Sequence, residues 1–279
     1  MVKKILVKKL LLTVLLFISS GVIYSQEIVT DRPDKTESAI TVGKNRLQIE
    51  TGLEFASFTF GDLYDETGAL IFKDVKLQTL TLPTTLIRFG ITNNIELRFG
   101  FDFEKQNFNV DDLSIDGAGN EKLSLNPPTI GAKFHIHDGK DAVPTIALIG
   151  AVTIPEVGAK EKQTKHLNPE FILALSNDLN DNLSLGYNLG LARDDESKTT
   201  NFFYSASLGI GLTEKIGAFA EIYGNFPNDD YVSDQNIDGG FTYLINKSLQ
   251  IDIYGGVGLS SSSNNFMIGS GIAYKFNNF

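Results

Sequence analysis

From residue 46 onward, apolar residues alternate with polar ones in segments that are rich in Phe, Ile, Leu, Val, Tyr and Thr. Clusters of Gly, Asn, Asp, Pro and Ser separate these segments, which is the pattern of strands joined by turns. No capped segment with the period of a helix competes with this interpretation. We predict twelve strands, at residues 46–60, 75–89, 95–108, 129–136, 143–154, 168–176, 183–193, 202–212, 216–225, 237–245, 249–259 and 266–276.

The third predicted strand has the clearest alternation. Leu97, Phe99 and Phe101 share one face, whereas Glu96 and Arg98 share the other, because successive side chains of a strand point to opposite faces. A soluble sandwich would alternate in the same way, so strand length has to distinguish the two classes. Most of the predicted strands reach the roughly nine to eleven residues that cross a bilayer, against about five or six in soluble sheets.

The predicted connections alternate between short and long. The turns after even-numbered strands are brief, as at residues 90–94 and 213–215, whereas most of those after odd-numbered strands are longer and polar, as at 61–74 and 109–128. Short periplasmic turns and longer outer loops are typical of outer-membrane barrels, which in bacteria have an even number of strands. The predicted fold class is therefore all-β, a transmembrane antiparallel up-and-down β-barrel of about 12 strands.

Residues 1–25 are predicted to be a secretory signal peptide. Four lysines flank the start of a short apolar run, and a small, polar stretch ends before Gln26; a membrane anchor is the alternative. Residues 26–45 are then a periplasmic N-terminal segment, and residues 46–279 are a barrel in the bacterial outer membrane. Without these four lysines, the 24 basic residues fall to 20 against 34 acidic ones, so we expect no nucleic-acid partner.

The sequence offers little catalytic chemistry. It contains no cysteine, which excludes disulfides, thiolate metal sites and a lipoprotein anchor. Nucleophile-elbow, P-loop, dinucleotide-binding and zinc-protease motifs do not occur in it. His135 and His137 lie two residues apart, but no third metal ligand is identifiable. We therefore predict no enzyme activity, no cofactor and no bound metal.

Charged residues on the polar faces of the predicted strands are expected to line the lumen of the barrel. Dry packing of so many ionised groups would be costly, so we expect a hydrated lumen and, because carboxylates prevail, a preference for cations. The alternative is a closed interior in which the basic residues neutralise the carboxylates. The candidates for lumen-lining and selectivity are Glu50, Glu54, Glu96, Arg98, Asp102, Glu104, Lys133, His135, Glu170, Glu221 and Asp252.

The second predicted strand has an inconsistent pattern. Val75 lies on the opposite face from Leu80 and Leu86, which predicts that Pro83 or a bulge resets the register of the strand. The pattern does not decide which face Arg88 occupies.

A motif precedes the first strand. Residues 30–39 read TDRPDKTESA, and the strand opens with LQIETG at residues 47–52. This combination resembles the start of the outer-membrane transporters named for the meta-pathway of phenol degradation, a family common in Bacteroidetes, and the resemblance extends over the mature chain. It implies a bacterial outer-membrane barrel that acts as a channel for small molecules. Four charged residues of the motif are candidates for a plug that enters from the periplasmic mouth, the alternative being a periplasmic tail with a local turn: Asp31, Arg32, Asp34 and Glu37.

We predict an outer-membrane channel or transporter that passes small solutes through a charged lumen by diffusion. The expected partners are outer-membrane lipid and lipopolysaccharide, a small-molecule solute, and the barrel-assembly machinery, because residues 271–276 resemble the C-terminal signal of outer-membrane proteins. One alternative is a closed structural barrel that binds a partner through its acidic outer loops. A less favoured alternative is a barrel lipid hydrolase that uses a serine and a histidine.

Overall fold

The structure is a computed structural model that describes residues 28–64, 67–68, 70–109, 122–194, 198–227, 233–261 and 263–277. The predicted signal peptide and parts of the predicted outer loops lie outside these residues. Within this part of the chain, no helix is long and apolar enough to cross a membrane. The strands are β1 (Leu47–Tyr64), β2 (Leu70–Gly90), β3 (Ile95–Asn109), β4 (Ser124–Leu125), β5 (Thr129–His137), β6 (Thr145–Thr153), β7 (Asn168–Asn180), β8 (Leu183–Asp194), β9 (Thr199–Gly211), β10 (Ile216–Pro227), β11 (Gln235–Asn246), β12 (Leu249–Gly258) and β13 (Phe266–Phe276).

Twelve of these strands form one closed antiparallel ring. Consecutive strands pair in chain order with one exception. The first part of β3, Ile95 to Gly100, pairs with β5, and Phe103 and Glu104 of β3 pair with the two-residue β4. The ring closes between β1 and β13, from Leu47 opposite Phe276 to Ser57 opposite Phe266. Closure satisfies the backbone groups that an open sheet edge would leave unpaired in hydrocarbon.

The predicted all-β barrel is confirmed, and each of the twelve predicted strands is present. The prediction is wrong about the loop at residues 61–74, because β1 continues to Tyr64 and β2 begins at Leu70. The register between these strands shifts at Gly61, whose φ is 78°. Glycine adopts that conformation without strain, so the hairpin accommodates a bulge and keeps pairing beyond the expected turn.

The outer face of the ring is apolar, and the inner face is mostly polar, apart from an apolar group on β6 and β7 that packs against Ala39: Ala147, Ile149, Ile172 and Ala174. In β3, Leu97 and Phe99 keep 45% and 38% of their surface exposed on the outer face, whereas Glu96 and Arg98 are buried on the inner face. This arrangement is the reverse of a water-soluble protein, in which exposed apolar patches stay small. It suits a ring that is surrounded by acyl chains, and it confirms the alternation predicted for this strand.

A bulge in β2 decides which face Arg88 occupies. Thr81 pairs with Glu104, and Thr84 pairs with the residue two positions earlier on β3, so β2 holds one extra residue between them. Pro83 lies in this bulge, where its missing N–H group costs no ladder hydrogen bond. The predicted reset of the register is confirmed, and Arg88 is turned inward and fully buried.

Residues 28–45, which we call the N-terminal segment, lie inside the ring. Lys133 of β5 donates to Asp31 at 2.9 Å, and the next residue, Arg32, donates to Asp252 of β12 at 3.1 Å. β5 and β12 lie on nearly opposite sides of the ring, so neighbouring residues can reach both strands only from the interior.

Replacement of Leu189 by Arg is expected to destabilise the barrel. Leu189 lies near the middle of β8 and is 59% exposed on the outer face, where an arginine at the bilayer midplane costs about 2–4 kcal/mol. The matched control is Val157→Arg in the connection between β6 and β7, where water can solvate the new charge. Urea unfolding of both variants in lipid vesicles measures the difference. Equal stabilities would contradict a lipid-facing outer surface.

Candidate functional site

The N-terminal segment enters and leaves the lumen at the end of the ring that carries the short turns. Near its start, the Val29 carbonyl accepts a hydrogen bond from Gln48 Nε2 at 2.8 Å. At its other end, the Asn45 N–H donates to the Gly90 carbonyl at 2.8 Å, just before the turn between β2 and β3. The residues between these points therefore form a loop that projects into the ring and returns.

Glycines of the barrel wall make room for this loop. A Cβ atom at Gly271 would overlap the guanidinium of Arg32, and one at Gly90 would overlap the backbone carbonyl of Gly43. Gly43 itself has a φ of 84°, which glycine adopts freely. The wall and the N-terminal segment fit together only because these positions lack side chains. The fit indicates a specifically docked loop.

Asp31 lies at the centre of three basic side chains from three strands. Its carboxylate accepts hydrogen bonds from Arg98 Nη1 at 2.5 Å and from Lys133 Nζ at 2.9 Å, and it lies 3.2 Å from Arg88 Nη1. The Asp31 side chain is 1% exposed. Burial of charges is favourable only when partners and hydrogen bonds compensate the lost hydration, so the removal of one partner costs about 3–5 kcal/mol.

Three more carboxylates surround these cations, and we call the whole group the Asp31 cluster. Glu50 and Glu96 accept hydrogen bonds from Arg88 at 2.9 and 2.8 Å. Glu37, on the N-terminal segment, accepts two from Arg98 at 2.7 and 2.8 Å. The Asp31 cluster therefore contains three cations and four carboxylates, and the N-terminal segment supplies two of the carboxylates.

The N-terminal segment also carries cations that bind acidic side chains of the wall. Arg32 donates to Asp252 of β12, and Lys35 Nζ donates to Glu54 of β1 at 3.0 Å. The backbone N–H of Lys35 donates to Glu221 of β10 at 2.8 Å. The segment thus binds the wall with side chains of both signs and with its backbone.

Asp34, Glu54, Glu221 and Asp238 form a second group, which we call the acidic cluster. Glu221 and Asp238 face each other on β10 and β11 and are 2% and 5% exposed. Asp34 of the N-terminal segment and Glu54 of β1 approach the same region. Lys35 is the cation bound there through Glu54.

Eight of the eleven predicted lumen residues bind the N-terminal segment: Glu50, Glu54, Glu96, Arg98, Lys133, His135, Glu221 and Asp252. The other three lie elsewhere on the inner face. Asp102 accepts a hydrogen bond from Asn126, and Glu104 binds Lys162 of the β6–β7 connection at 2.9 Å. Glu170 lies near the start of β7, next to that connection.

Arg88 and Asp238 are among the residues of the site that the sequence analysis missed, as are Gln48, Asn188 and Ser205, which bind the N-terminal segment. The sequence analysis left the face of Arg88 open, because that face depends on the exact position of the bulge around Pro83, which only the pairing of β2 with β3 shows. It also omitted Asp238, although Ile237 beside it is apolar and 43% exposed on the outer face. Strand alternation places Asp238 in the lumen.

Burial and neighbouring charges shift the pKa values of three carboxyl groups on the N-terminal segment. Burial raises the pKa of Asp31, but the three cations of its cluster outweigh burial and hold the pKa well below the ordinary value of 3.8. Burial and the nearby Glu221 carboxylate raise the pKa of Asp34 to about 7. Burial raises the pKa of Glu37 to about 8, although Arg98 opposes the shift. A proton on Glu37 then leaves the Asp31 cluster with equal numbers of positive and negative charges.

A cavity of about 220 Å³ remains between the N-terminal segment and the wall of β2 and β3, with room for several water molecules. Its lining is mixed, with Leu86 and Phe101 on the apolar side and with Arg32, Thr84 and Asp102 supplying polar groups that can bind water. Among the described residues, no group of three or more His, Asp or Glu side chains is placed to hold a metal ion.

A closed ring with an apolar outer face and a charged inner face defines a transmembrane β-barrel of the outer-membrane type. The profile of the family described as "Putative MetA-pathway of phenol degradation" matches residues 30–276, and the chain belongs to that family. The resemblance inferred from residues 30–39 is thereby confirmed. No curated protein sequence matches the chain.

Solved structures with a similar fold share little sequence with this chain. An outer membrane channel from Pseudomonas putida F1 has a TM-score of 0.63 at 13% identity, over 89% of this chain and 100% of its own. The KdgM porin in complex with disordered oligogalacturonate has a TM-score of 0.50 at 12% identity, over 82% and 99%. The translocator domain of the autotransporter NalP from Neisseria meningitidis has a TM-score of 0.50 at 12% identity, over 84% and 89%. These similarities establish the fold.

Docking of the N-terminal segment is expected to weaken as the pH rises. Asp34 and Glu37 have raised pKa values when docked, so their stabilising contribution is complete below the ordinary values of 3.8 and 4.5 and is lost as the pH rises through about 7 and 8. Asp31 has a lowered pKa and contributes above its ordinary value, throughout the neutral range.

Hydrogen exchange of residues 28–45, corrected for the intrinsic exchange rate, measures this effect between about pH 5 and pH 9. We expect protection to fall across this range in the wild type and to vary much less in the variant Asp34→Asn/Glu37→Gln. The control Glu214→Gln changes an exposed carboxylate in the β9–β10 turn and should behave as the wild type. Protection that rises with pH would contradict the assignment.

Proposed function

We propose that this protein is an outer-membrane channel for small solutes whose lumen is closed at rest by its own N-terminal segment. The observation that carries the proposal is the reciprocal fit of the segment and the wall. Charges of the segment meet opposite charges of the wall, and wall glycines leave the space that the segment fills. The lumen is thus shaped around an occupant that belongs to the same chain.

The contacts that hold the N-terminal segment favour a removable plug. Apart from the apolar packing of Ala39 against β6 and β7, they include hydrogen bonds and ion pairs, such as those of Arg32 with Asp252 and of Lys35 with Glu54. Water and dissolved ions can replace such contacts when the segment moves, whereas the ladders of the ring remain paired. Displacement of the segment therefore opens the lumen without unfolding the barrel.

The lumen beyond the N-terminal segment also favours a path for polar solutes. Asp102 and Glu104 lie on the inner face of β3, further from the short turns than the Asp31 cluster, and both are partly exposed. Carboxylates along a water-filled path favour cations over anions. An outer membrane channel and a porin share this fold, which supports a channel here.

The mature protein is proposed to reside in the outer membrane after export and removal of residues 1–25. Residues 26–45 then supply the plug, and residues 46–279 supply the barrel. Its apolar outer face suits lipid and lipopolysaccharide, and its closed strand order suits insertion by the barrel-assembly machinery. The solute is a small molecule, and no catalytic step is proposed.

The salt-bridged interior also supports a second candidate, a closed structural barrel. In that case the Asp31 cluster would be a permanent core, and the acidic outer loops would bind a partner. A lipid hydrolase finds less support, because the ring of His135 binds the Ala39 carbonyl and Asp138. Channel recordings separate the first two candidates.

Deletion of residues 27–44 from the mature chain is expected to raise the single-channel conductance severalfold. The deletion removes the loop that fills the lumen but leaves the twelve strands of the ring intact. Planar-bilayer recording of the refolded wild type and the deletion variant measures the change. Silence of both folded proteins would contradict the channel and favour the closed structural barrel.

A disulfide lock is the matched control for this deletion. The hydroxyl groups of Thr36 and Ser205 are 2.8 Å apart, and the chain contains no cysteine, so Thr36→Cys/Ser205→Cys can form a single disulfide. We expect the oxidised variant to conduct less than the wild type and the reduced variant to regain wild-type conductance. Unchanged conductance on oxidation, with the disulfide formed, would exclude movement of the N-terminal segment as the gate.

Neutralisation of Asp102 and Glu104 is expected to weaken cation preference. In the deletion variant, Asp102→Asn/Glu104→Gln should move the reversal potential in a salt gradient towards zero, because two lumen carboxylates are lost. The control Asp181→Asn/Glu214→Gln removes two exposed carboxylates from short turns and should leave the potential unchanged. Equal shifts in both variants would assign selectivity to the overall charge of the protein.

A further inference from the structure

Asp238 is a buried carboxylate in the lumen wall, 5% exposed, and its hydrogen-bonding neighbour is another carboxyl group, that of Glu221. No N–H or hydroxyl group of the described residues donates to either of its oxygens. A buried ionised carboxylate costs several kcal/mol unless a cation, a proton or a donor compensates it. Asp238 therefore identifies a position that calls for a ligand.

Most of the charged side chains around Asp238 are acidic. Asp34, Glu54 and Glu221 approach it from the N-terminal segment, β1 and β10, and Lys35 is the cation among them. Lys35 binds Glu54 at 3.0 Å, and its side chain remains 42% exposed. One ammonium group thus faces four carboxyl groups of the acidic cluster, so the cluster carries an excess of negative charge once two of them are ionised.

Aromatic side chains adjoin the acidic cluster. The Tyr254 hydroxyl donates to Glu54 at 2.7 Å, and Tyr254 packs with Met267 in a group that includes Phe219 and Tyr223. The Tyr254 ring already carries the guanidinium of Arg32, 6.0 Å from its centroid. Carboxylates combined with aromatic faces attract organic cations, because the ammonium pairs with the acid while its alkyl part and charge contact the ring.

We propose that the acidic cluster is a binding site for the ammonium group of a solute and that Lys35 occupies it as an internal ligand. A metal ion is a poorer occupant, because the described residues contain no group of carboxylates placed to coordinate one. This proposal extends the proposed function. It rests on that function in one respect, namely that the bound solute is one that passes through the lumen. A solute that competes with Lys35 would also loosen the N-terminal segment.

Replacement of Lys35 by Ala should create a site for n-butylammonium, which has the chemistry of the missing side chain. Equilibrium dialysis of the refolded mature protein in detergent measures binding without any current, so a silent channel does not affect the result. We expect Lys35→Ala to bind n-butylammonium about tenfold more tightly than the wild type, which corresponds to one partly exposed ion pair in a polar lumen. Adding Asp238→Asn to this variant should remove most of the gain.

Three controls test whether the site is specific. Lys35→Met fills the same space without a charge and should bind no more n-butylammonium than the wild type. Lys44→Ala removes an exposed lysine from the other end of the N-terminal segment and should have no effect. n-Butanol, which is neutral, should bind none of the variants measurably.

Two results would overturn the proposal. If Lys35→Ala and Lys35→Met gained the same affinity for n-butylammonium, the acidic lumen would attract this cation in general, without a specific site. An unchanged affinity after addition of Asp238→Asn would mean that Asp238 is compensated by a proton shared with Glu221. Hydrogen exchange of residues 28–45 verifies that the N-terminal segment remains docked in each variant.

Discussion

The structure depends on the requirement that no backbone polar group be left unpaired in hydrocarbon. An unpaired N–H or carbonyl costs several kcal/mol in a bilayer, so a sheet can cross it only as a closed ring. Pairing of β1 with β13 provides this closure. Because side chains alternate along each strand, closure also divides them into an outer set that contacts lipid and an inner set that shares a confined space.

The inner set creates a second requirement, which the N-terminal segment meets. Arg88, Arg98 and Lys133 converge within the ring, and charges so deeply buried need partners. Asp31 supplies one partner to all three. The same contacts that stabilise the interior therefore also hold the N-terminal segment inside the ring. In the function proposed above, the channel opens only when other charges, water or a solute take the place of the segment.

Much of the fold could be predicted from the sequence, because it depends on local alternation. Alternation separates the inner face of β3, with Glu96 and Arg98, from the outer face, because their neighbours on β3 are apolar and exposed. Arg88 could not be placed, because its face depends on a bulge whose position is visible only in the pairing of β2 with β3. The convergence of the Asp31 cluster depends on the order and stagger of separate strands, which alternation does not encode.

The sequence by itself determined the strand number, the division into outer and inner faces, and the family. Each of these follows from residue type and spacing along the chain. Only the tertiary structure decided that residues 28–45 lie inside the ring, that glycines such as Gly271 accommodate them, and that Asp238 lacks a donor among the described residues. These features arise from contacts between residues that are far apart in the chain and become neighbours only when the ring closes.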